Sequence, residues 1–480
     1  MKKYFCRSLF LPLLIAFALV ACSKDEEEAV VAPGISHQMF DDYIEQRDGV
    51  TVTSDETLTI NEVIGKVAEG GMFGEYAELV DPLISILKKQ LNDTLAAWNS
   101  RYGFAATGLK VRCVKYSYRS IDHRGNPVTL SSYATWAYPD IENAQQAVVH
   151  DRIILFCPYS QTKEANCATA TYGGAANVLI AKNALIVSPD PQGFGANGGN
   201  DQMYMNHELI GIQMADAMAA AYKVFLDLGF QLKEHFSLIP MGMSQGAATA
   251  VATQRYLENQ PLTLSDNGLT QSHALADWWH LTHTCVASGP YSPELTMNDY
   301  LSWQAFSHPG VIPLVLKTMI LSYPDLFGDN TEEDFYTENY LRHKAFFDSV
   351  YRYKPYTIDE INALMFEKVS TPEHQVSDPN TMVLSDMLSA ALLDTNATLN
   401  QKMRLSLRRN DLTTGWTPRH TIYITASQKD EYVPYSNALA LVGLAPDKVR
   451  VLDTDNMPHE FSCLMWLGQL FAGMFAGVLD

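Results

Sequence analysis

From residue 147 onward, short apolar runs alternate with helix-forming stretches, and this alternation limits the available folds more than any other feature of the chain. "AVVHDRIILFCPY", "ALIVSPD" (184–190), "FSLIPMGM" (236–243) and "HTCVASGPY" read as strands. Between them, residues around 175–182, about 205–228 and 244–258 read as helices. Runs this apolar have no face suited to water, so both faces of each strand must be covered. Strands joined through helices run parallel, which gives an α/β fold: a mostly parallel sheet flanked by helices. The pattern lapses after Pro290 and resumes with "HTIYITAS" (420–427), a helix at 435–443, the strand "KVRVLDT" and a final helix from about 461. The intervening 291–416, rich in aromatic, Met and acidic residues, reads as a helical insertion into a core made of 105–290 and 417–480. No fixed-period repeat breaks this organisation.

The flanks are simpler. "LKVRCVKYSYRSIDHRGNPVTLSSYATWAYP" (109–139) alternates apolar and polar residues around Arg124-Gly125-Asn126-Pro127 and predicts a β-hairpin or short meander. Helical signals dominate between Asp55 and Tyr102, where Ile84, Leu87, Leu91, Leu95 and Trp98 recur at three- and four-residue spacing. Residues 37–104 are therefore expected to form an N-terminal helical extension. At the start of the chain, Lys2, Lys3 and Arg7 precede the apolar run Leu9–Val20, too short to span a bilayer and built as a secretory signal, residues 1–21. Cys22 directly after Leu19-Val20-Ala21 resembles the lipobox of bacterial lipoproteins, which implies lipidation at Cys22. The acidic tether 22–36, with Ser23-Lys24-Asp25-Glu26-Glu27-Glu28, resembles the export signal of Bacteroidetes surface lipoproteins. That resemblance places the protein on the outer membrane, lipid-anchored and facing the cell surface.

The formal charge is −20, and −23 without residues 1–21. Phosphate backbones would repel such a chain, so nucleic acid is excluded as a partner. Beyond Cys22 stand Cys113, Cys157, Cys167, Cys285 and Cys463, an odd number with no C-x-x-C pair. Neither a zinc site nor a disulfide framework is indicated, and Cys157, Cys285 and Cys463 read as core residues. Export would permit a Cys157–Cys167 disulfide but does not establish one.

Chemistry enters at Gly242-Met243-Ser244-Gln245-Gly246, a G-x-S-x-G pentapeptide where strand 236–243 meets helix 244–258. The turn must be tight, and its glycines allow backbone packing where a side chain would clash. Such a turn lifts the Ser244 hydroxyl above the sheet edge and aims a helix N-terminus at it, with the Gln245 amide as first oxyanion donor. A serine is a weak nucleophile until a base takes its proton. "TASQKDEYVP" puts Asp430 just after one strand, and "VLDTDNMPHEFSC" puts His459 in the loop after the next. Glu431, Asp453 and Asp455 are rival acids.

The order Ser244, Asp430, His459 and the stretches "VSPDPQGFGAN" (187–197), "ASGPY" (287–291) and "TGWTPRHTIYITASQKDEYVP" (414–434) resemble the α/β-hydrolase superfamily, in its secretory-lipase and related esterase branch. The resemblance implies Ser244 as nucleophile, His459 as general base then acid, and Asp430 as the group that holds the imidazolium. It also implies a lid at 291–416, no cofactor and no metal. Where many members have His-Gly, this chain has Cys157-Pro158-Tyr159-Ser160-Gln161, and Pro158 has no amide hydrogen to give. The Pro-Tyr pair resembles cocaine-esterase and X-prolyl peptidase relatives, so either the Tyr159 phenol or the Ser160 amide is the second oxyanion donor.

Asp190 reads as a loop-supporting residue, and His280 and His283 as sheet-edge residues rather than metal ligands. The Tyr, Phe, Met and Trp303 content of the insertion suits an acyl or aromatic pocket as well as a helical core of its own. The expected activity is carboxylic-ester hydrolysis by a serine esterase or lipase, on a small-molecule or glycan ester. The alternatives are a peptidase on short or proline-containing peptides and a catalytically silent glycan- or lipid-binding lipoprotein. Nothing in the residues bears on oligomeric state.

Overall fold

The apolar runs become the interior of one nine-stranded sheet. The computed structural model describes residues 35–63, 92–93, 95–144, 148–171, 183–303, 305–371, 381–454, 456–463 and 465–466. The expected signal, Cys22 and nearly all of the tether, the helix near 175–182, the Ile84–Leu91 segment, Asp455 and most of the final helix lie outside them.

A short helix, α1 (His37–Glu45), leads to β1 (Thr51–Thr59), β2 (Leu109–Ile121) and β3 (Pro127–Pro139). β2 and β3 pair antiparallel from Leu109 opposite Pro139 to Ile121 opposite Pro127. Their turn is closed by the Asp122 carboxylate, which accepts from the amides of Arg124 at 2.8 Å and Asn126 at 2.9 Å. Within the described part of the expected helical extension only β1 departs, since 37–45 and 95–102 are helical: it is an edge strand, antiparallel to β2 from Thr51 opposite Ser117 to Thr59 opposite Lys110.

Beyond the hairpin come β4 (Val149–Phe156), β5 (Ala184–Pro189), α2 (His207–Asp227), β6 (Gln231–Met243), α3 (Gln245–Asn259), a hairpin of β7 (Pro261–Asp266) and β8 (Leu269–Ala274), and β9 (His283–Ala287). The insertion carries α4 (Pro293–Trp303), β10 (Ala305–Phe306), α5 (Ile312–Ser322), α6 (Lys344–Tyr353), α7 (Ile358–Lys368), β11 (Met382–Val383) and α8 (Thr398–Arg409). β12 (Thr421–Ala426), α9 (Ser436–Leu444) and β13 (Val449–Asp453) complete the core. The strand order is β1-β2-β3-β5-β4-β6-β9-β12-β13, and the pairings from β5 through β13 are parallel, as the sequence predicts.

Side-chain alternation sorts the strands onto two cores. Ala134 and Trp136 of β3, Ile153 and Leu155 of β4, and Leu185 and Val187 of β5 face one cluster. Tyr133 and Ala137, Ile154, and Ala184 and Ile186 face the other. A strand buried on both faces favours apolar residues on each, which is why Ile153–Leu155 of β4 and Ala184–Val187 of β5 read as continuous apolar runs. Each fully buried aliphatic side chain contributes about 1.5–3 kcal/mol relative to exposure. The insertion has a third core of its own around Met319, Phe335, Phe347, Ile361, Met365 and Met387. It is mainly helical, with the two-residue β10–β11 pairing as its strand element. α4 is tied to the core: Asn437 of α9 accepts from the Ser292 amide at 2.8 Å and donates to the Thr296 hydroxyl at 3.0 Å. His283 opens β9, which lies between β6 and β12, so it is an interior residue rather than the sheet-edge one expected. All five described cysteines are buried and free, Cys157 and Cys167 included.

Candidate active site

Loops leaving the carboxyl ends of parallel strands gather on one side of a sheet, where such sheets place their ligands. Here the ends of β4, β6, β12 and β13 deliver Tyr159, Ser244, Asp430 and His459. Ser244 sits at the N-cap of α3 with φ 54° and ψ −127°, a conformation that L-residues adopt only under constraint. Two contacts impose it. A Cβ on Gly242 would lie 2.2 Å from the Gly246 oxygen, and one on Gly246 would lie 2.5 Å from the Cys157 oxygen. Glycine at both positions lets strand, helix and the loop after β4 meet with no side chains between them. The Ser244 amide is anchored by donating to the Ala287 oxygen of β9 at 2.8 Å. Gln245 is the first residue of α3, so its N–H has no acceptor one turn back within the helix.

Asp430 and His459 are brought together. His459 Nδ1 lies 2.8 Å from Asp430 Oδ2 and 2.9 Å from Oδ1. Asp430 Oδ1 also accepts from the amides of Tyr432 at 3.0 Å and Val433 at 2.7 Å, which fixes the carboxylate's orientation. With an ionised carboxylate as partner, Nδ1 carries the proton and Nε2 is left with its lone pair. Burial acts to lower the affinity of His459 for a second proton. The charge and hydrogen bond of Asp430, with the charges of Glu431 and Glu460, outweigh it and raise the imidazole above its ordinary value. The rival acids have other places: Glu431 accepts from the His459 amide at 3.1 Å, and Asp453 accepts from Gln428 Nε2 at 2.9 Å.

Ser244 and His459 line one cavity of about 680 Å³ together with Tyr159 and Ser160. Burial raises the Tyr159 phenol above its ordinary value, so it stays a protonated donor. The Ser160 hydroxyl pairs with the Tyr204 hydroxyl at 2.6 Å. The far wall comes from the insertion, with Met297, Leu301, Ile312, Leu388 and Leu407 among its apolar residues. Among the described residues no group of three His, Cys, Asp or Glu side chains is placed to hold a metal ion.

The fold recurs in solved structures. The rice cell wall degrading esterase LipA from Xanthomonas oryzae superposes with a TM-score of 0.60 at 17% identity, covering 88% of this chain and 97% of that one. Candida antarctica lipase A in its closed state gives 0.50 at 13% identity, covering 78% and 80%. The fold is the α/β-hydrolase fold. No protein-family model and no curated protein matches the sequence itself.

Within the α/β-hydrolase fold, Asp190 stands apart from the cavity's chemistry. It is buried, accepts from the Ser131 hydroxyl at 2.7 Å and the Thr169 amide at 3.1 Å, and burial raises its carboxyl above the usual range. It ties β3 to the loops after β4 and β5, as expected of a loop-supporting residue. His280 is likewise packed, its ring edge-on to Phe236 at 5.2 Å. Several cavity residues carried no signal in the sequence, a histidine among them. His308, between β10 and α5, packs tilted at 31° against Tyr432 with ring centroids 4.4 Å apart, and Tyr432 in turn lies 5.2 Å from the His459 ring. No spacing rule links residues 308, 432 and 459, so sequence alone carries no signal of this contact.

Proposed function

We propose that this protein is a serine hydrolase that cleaves carboxylic esters through an acyl-enzyme. The observation that carries the reading is the Asp430–His459 pair, oriented by main-chain amides and opening onto the cavity that Ser244 also lines. His459 Nε2 takes the Ser244 proton as Oγ attacks the ester carbonyl. The oxyanion that forms meets the Gln245 N–H at the positive end of α3, where fixed donors stabilise charge better than water does. His459 then returns the proton to the departing alcohol, and water repeats the sequence to release the acid. Asp430 stays ionised throughout and stabilises the imidazolium. The apolar wall of the insertion suits an acyl chain or an aromatic acid.

The same proposal takes the mature chain to be exported and lipid-anchored at Cys22 on the outer membrane, on the strength of its signal-like N-terminus. Metabolic labelling with palmitate, lost in Cys22→Ala, is the expected result.

The catalytic reading is tested with a fluorophosphonate probe and p-nitrophenyl esters of increasing chain length, beside acetylated and feruloylated glycans. Labelling at Ser244 with ester turnover is expected. Labelling accompanied by cleavage of dipeptide substrates alone would make the protein a peptidase. Absence of labelling in the folded protein would leave a silent binding protein and refute the proposal.

A further inference from the structure

The insertion contributes a polar group to the cavity whose proton can be assigned from its partners. The Gly310 amide, which can only donate, lies 2.8 Å from one side-chain atom of Asn362 and so marks that atom as the oxygen, Oδ1. The other atom, Nδ2, is therefore a donor, and it lies 2.9 Å from His308 Nδ1. A nitrogen that accepts from an amide carries no proton, so the neutral ring holds its hydrogen on Nε2. The arrangement is braced on every side. Tyr351 donates to the Gly310 oxygen at 2.8 Å, and a Cβ on Gly310 would lie 2.9 Å from Asn362 Oδ1, so only glycine permits the approach. Burial first, and then the neighbouring His459, push the His308 ring down to about 3, so it stays neutral.

His308 lines the cavity, and among the described residues no group bonds its Nε2. A fixed neutral N–H thus belongs to the cavity's insertion side, and both its ring and the ring of the proposed base pack against Tyr432. In the proposed mechanism the departing alcohol takes its proton from His459, so the side of the cavity that Tyr432 and His308 share is assigned to the leaving group.

We propose that His308 is a specificity-determining residue that donates a hydrogen bond from Nε2 to an acceptor oxygen in the alcohol portion of the ester. The proposal rests on the ester-hydrolase reading above. It gives the insertion a role beyond apolar containment: it selects alcohols with an ether, hydroxyl or carbonyl oxygen near the scissile bond over plain alkyl alcohols.

The test compares two isosteric substrates, 2-methoxyethyl butyrate and n-butyl butyrate, which differ by one oxygen in place of a methylene. The ratio of their kcat/KM values is measured in the wild type and in His308→Phe, which retains a planar ring to pack against Tyr432. Comparing ratios cancels the intrinsic reactivity of the two esters. The ratio is expected to fall about three- to tenfold in the variant, the worth of one neutral hydrogen bond. An equal ratio in both proteins, whether or not both rates drop, would overturn the proposal by making His308 a structural residue. A long-range proton–nitrogen NMR correlation on the wild type needs no variant to fold: protonation at Nε2 is expected, and protonation at Nδ1 overturns the proposal. Failure of the wild type to hydrolyse any ester would refute the hydrolase reading, and the proposal would fall with it. An unchanged ratio with ester hydrolysis intact overturns only the role given to His308.

Discussion

Replacing Asp430 by Asn isolates the electrostatic part of the proposed mechanism. Asn retains an oxygen for the Tyr432 and Val433 amides, whereas Ala would strand two buried donors at about 1–3 kcal/mol each. What Asn adds is an NH2 group facing His459 Nδ1, where Asp430 Oδ2 stood at 2.8 Å. Two donors cannot face each other, so the imidazole adopts the tautomer with its proton on Nε2, and that nitrogen cannot take a proton from Ser244 as the proposed mechanism requires. The imidazolium of the transition state also loses its counter-ion. At a separation of about 4 Å and an effective dielectric near 20, that charge is worth about 4 kcal/mol. With about 1.5 kcal/mol for the tautomer switch, kcat/KM should fall by about 10³ to 10⁴-fold, at roughly 1.4 kcal/mol per decade.

The pH profile gives an independent reading. The imidazole is raised above its ordinary value by the charges of Asp430, Glu431 and Glu460 acting against burial. Activity, which needs the unprotonated base, should therefore appear only as pH rises through a value above about 6.5. Stability runs the other way. A histidine raised in the folded state contributes stability fully below its unfolded value and loses it as pH rises through the folded one. In Asp430→Asn the acid limb should move to lower pH. A variant retaining more than a tenth of wild-type kcat/KM on p-nitrophenyl butyrate, or an acid limb that does not move, would refute the role given to Asp430.

Ser244→Ala should abolish fluorophosphonate labelling and lower kcat by roughly 10⁴ to 10⁶-fold. Because φ at this position is 54°, Ser244→Gly should be more stable than Ser244→Ala by about 1 kcal/mol, read from urea midpoints. Gly246→Ala would place a Cβ 2.5 Å from the Cys157 oxygen and 3.0 Å from the Pro158 oxygen, both rigid main-chain atoms. It should destabilise the protein by about 1–3 kcal/mol in the same assay. Tyr159→Phe is expected to lower kcat about 100-fold with KM little changed, as removal of an oxyanion donor does. An unchanged kcat would assign that hydrogen bond to the Ser160 amide.

What could be read from the chain follows from how each feature is encoded. β4, β5, β6, β9 and β12 announce themselves because burial on both faces forces continuous apolar runs, and the site loops fall at their ends. β1 is silent for the opposite reason: in Thr51–Thr59 only Leu58 is buried, so the segment has neither an apolar run nor a clean alternation. Its strand state comes from the exposed edge of β2. The β7–β8 hairpin was not read from the sequence, although Asn267-Gly268, both at positive φ (46° and 81°), is a turn signal for it. His308 and Asn362 lie 54 positions apart, and their meeting depends on the packing of the insertion's helices, which no local pattern specifies.

The ring of Tyr432 touches His459 on the core side and His308 on the insertion side. Most of the insertion can drift in sequence without disturbing the proposed proton relay, because the residues assigned to it follow β6, β12 and β13. At Tyr432 that independence ends. A change of substrate preference made by repacking residues 305–312 would be felt as a tilt of the His459 ring, so turnover and selectivity are coupled through one aromatic side chain. Directed evolution toward a new alcohol should therefore accumulate paired changes at 308 and 432, while apolar positions such as 388 and 407 vary singly.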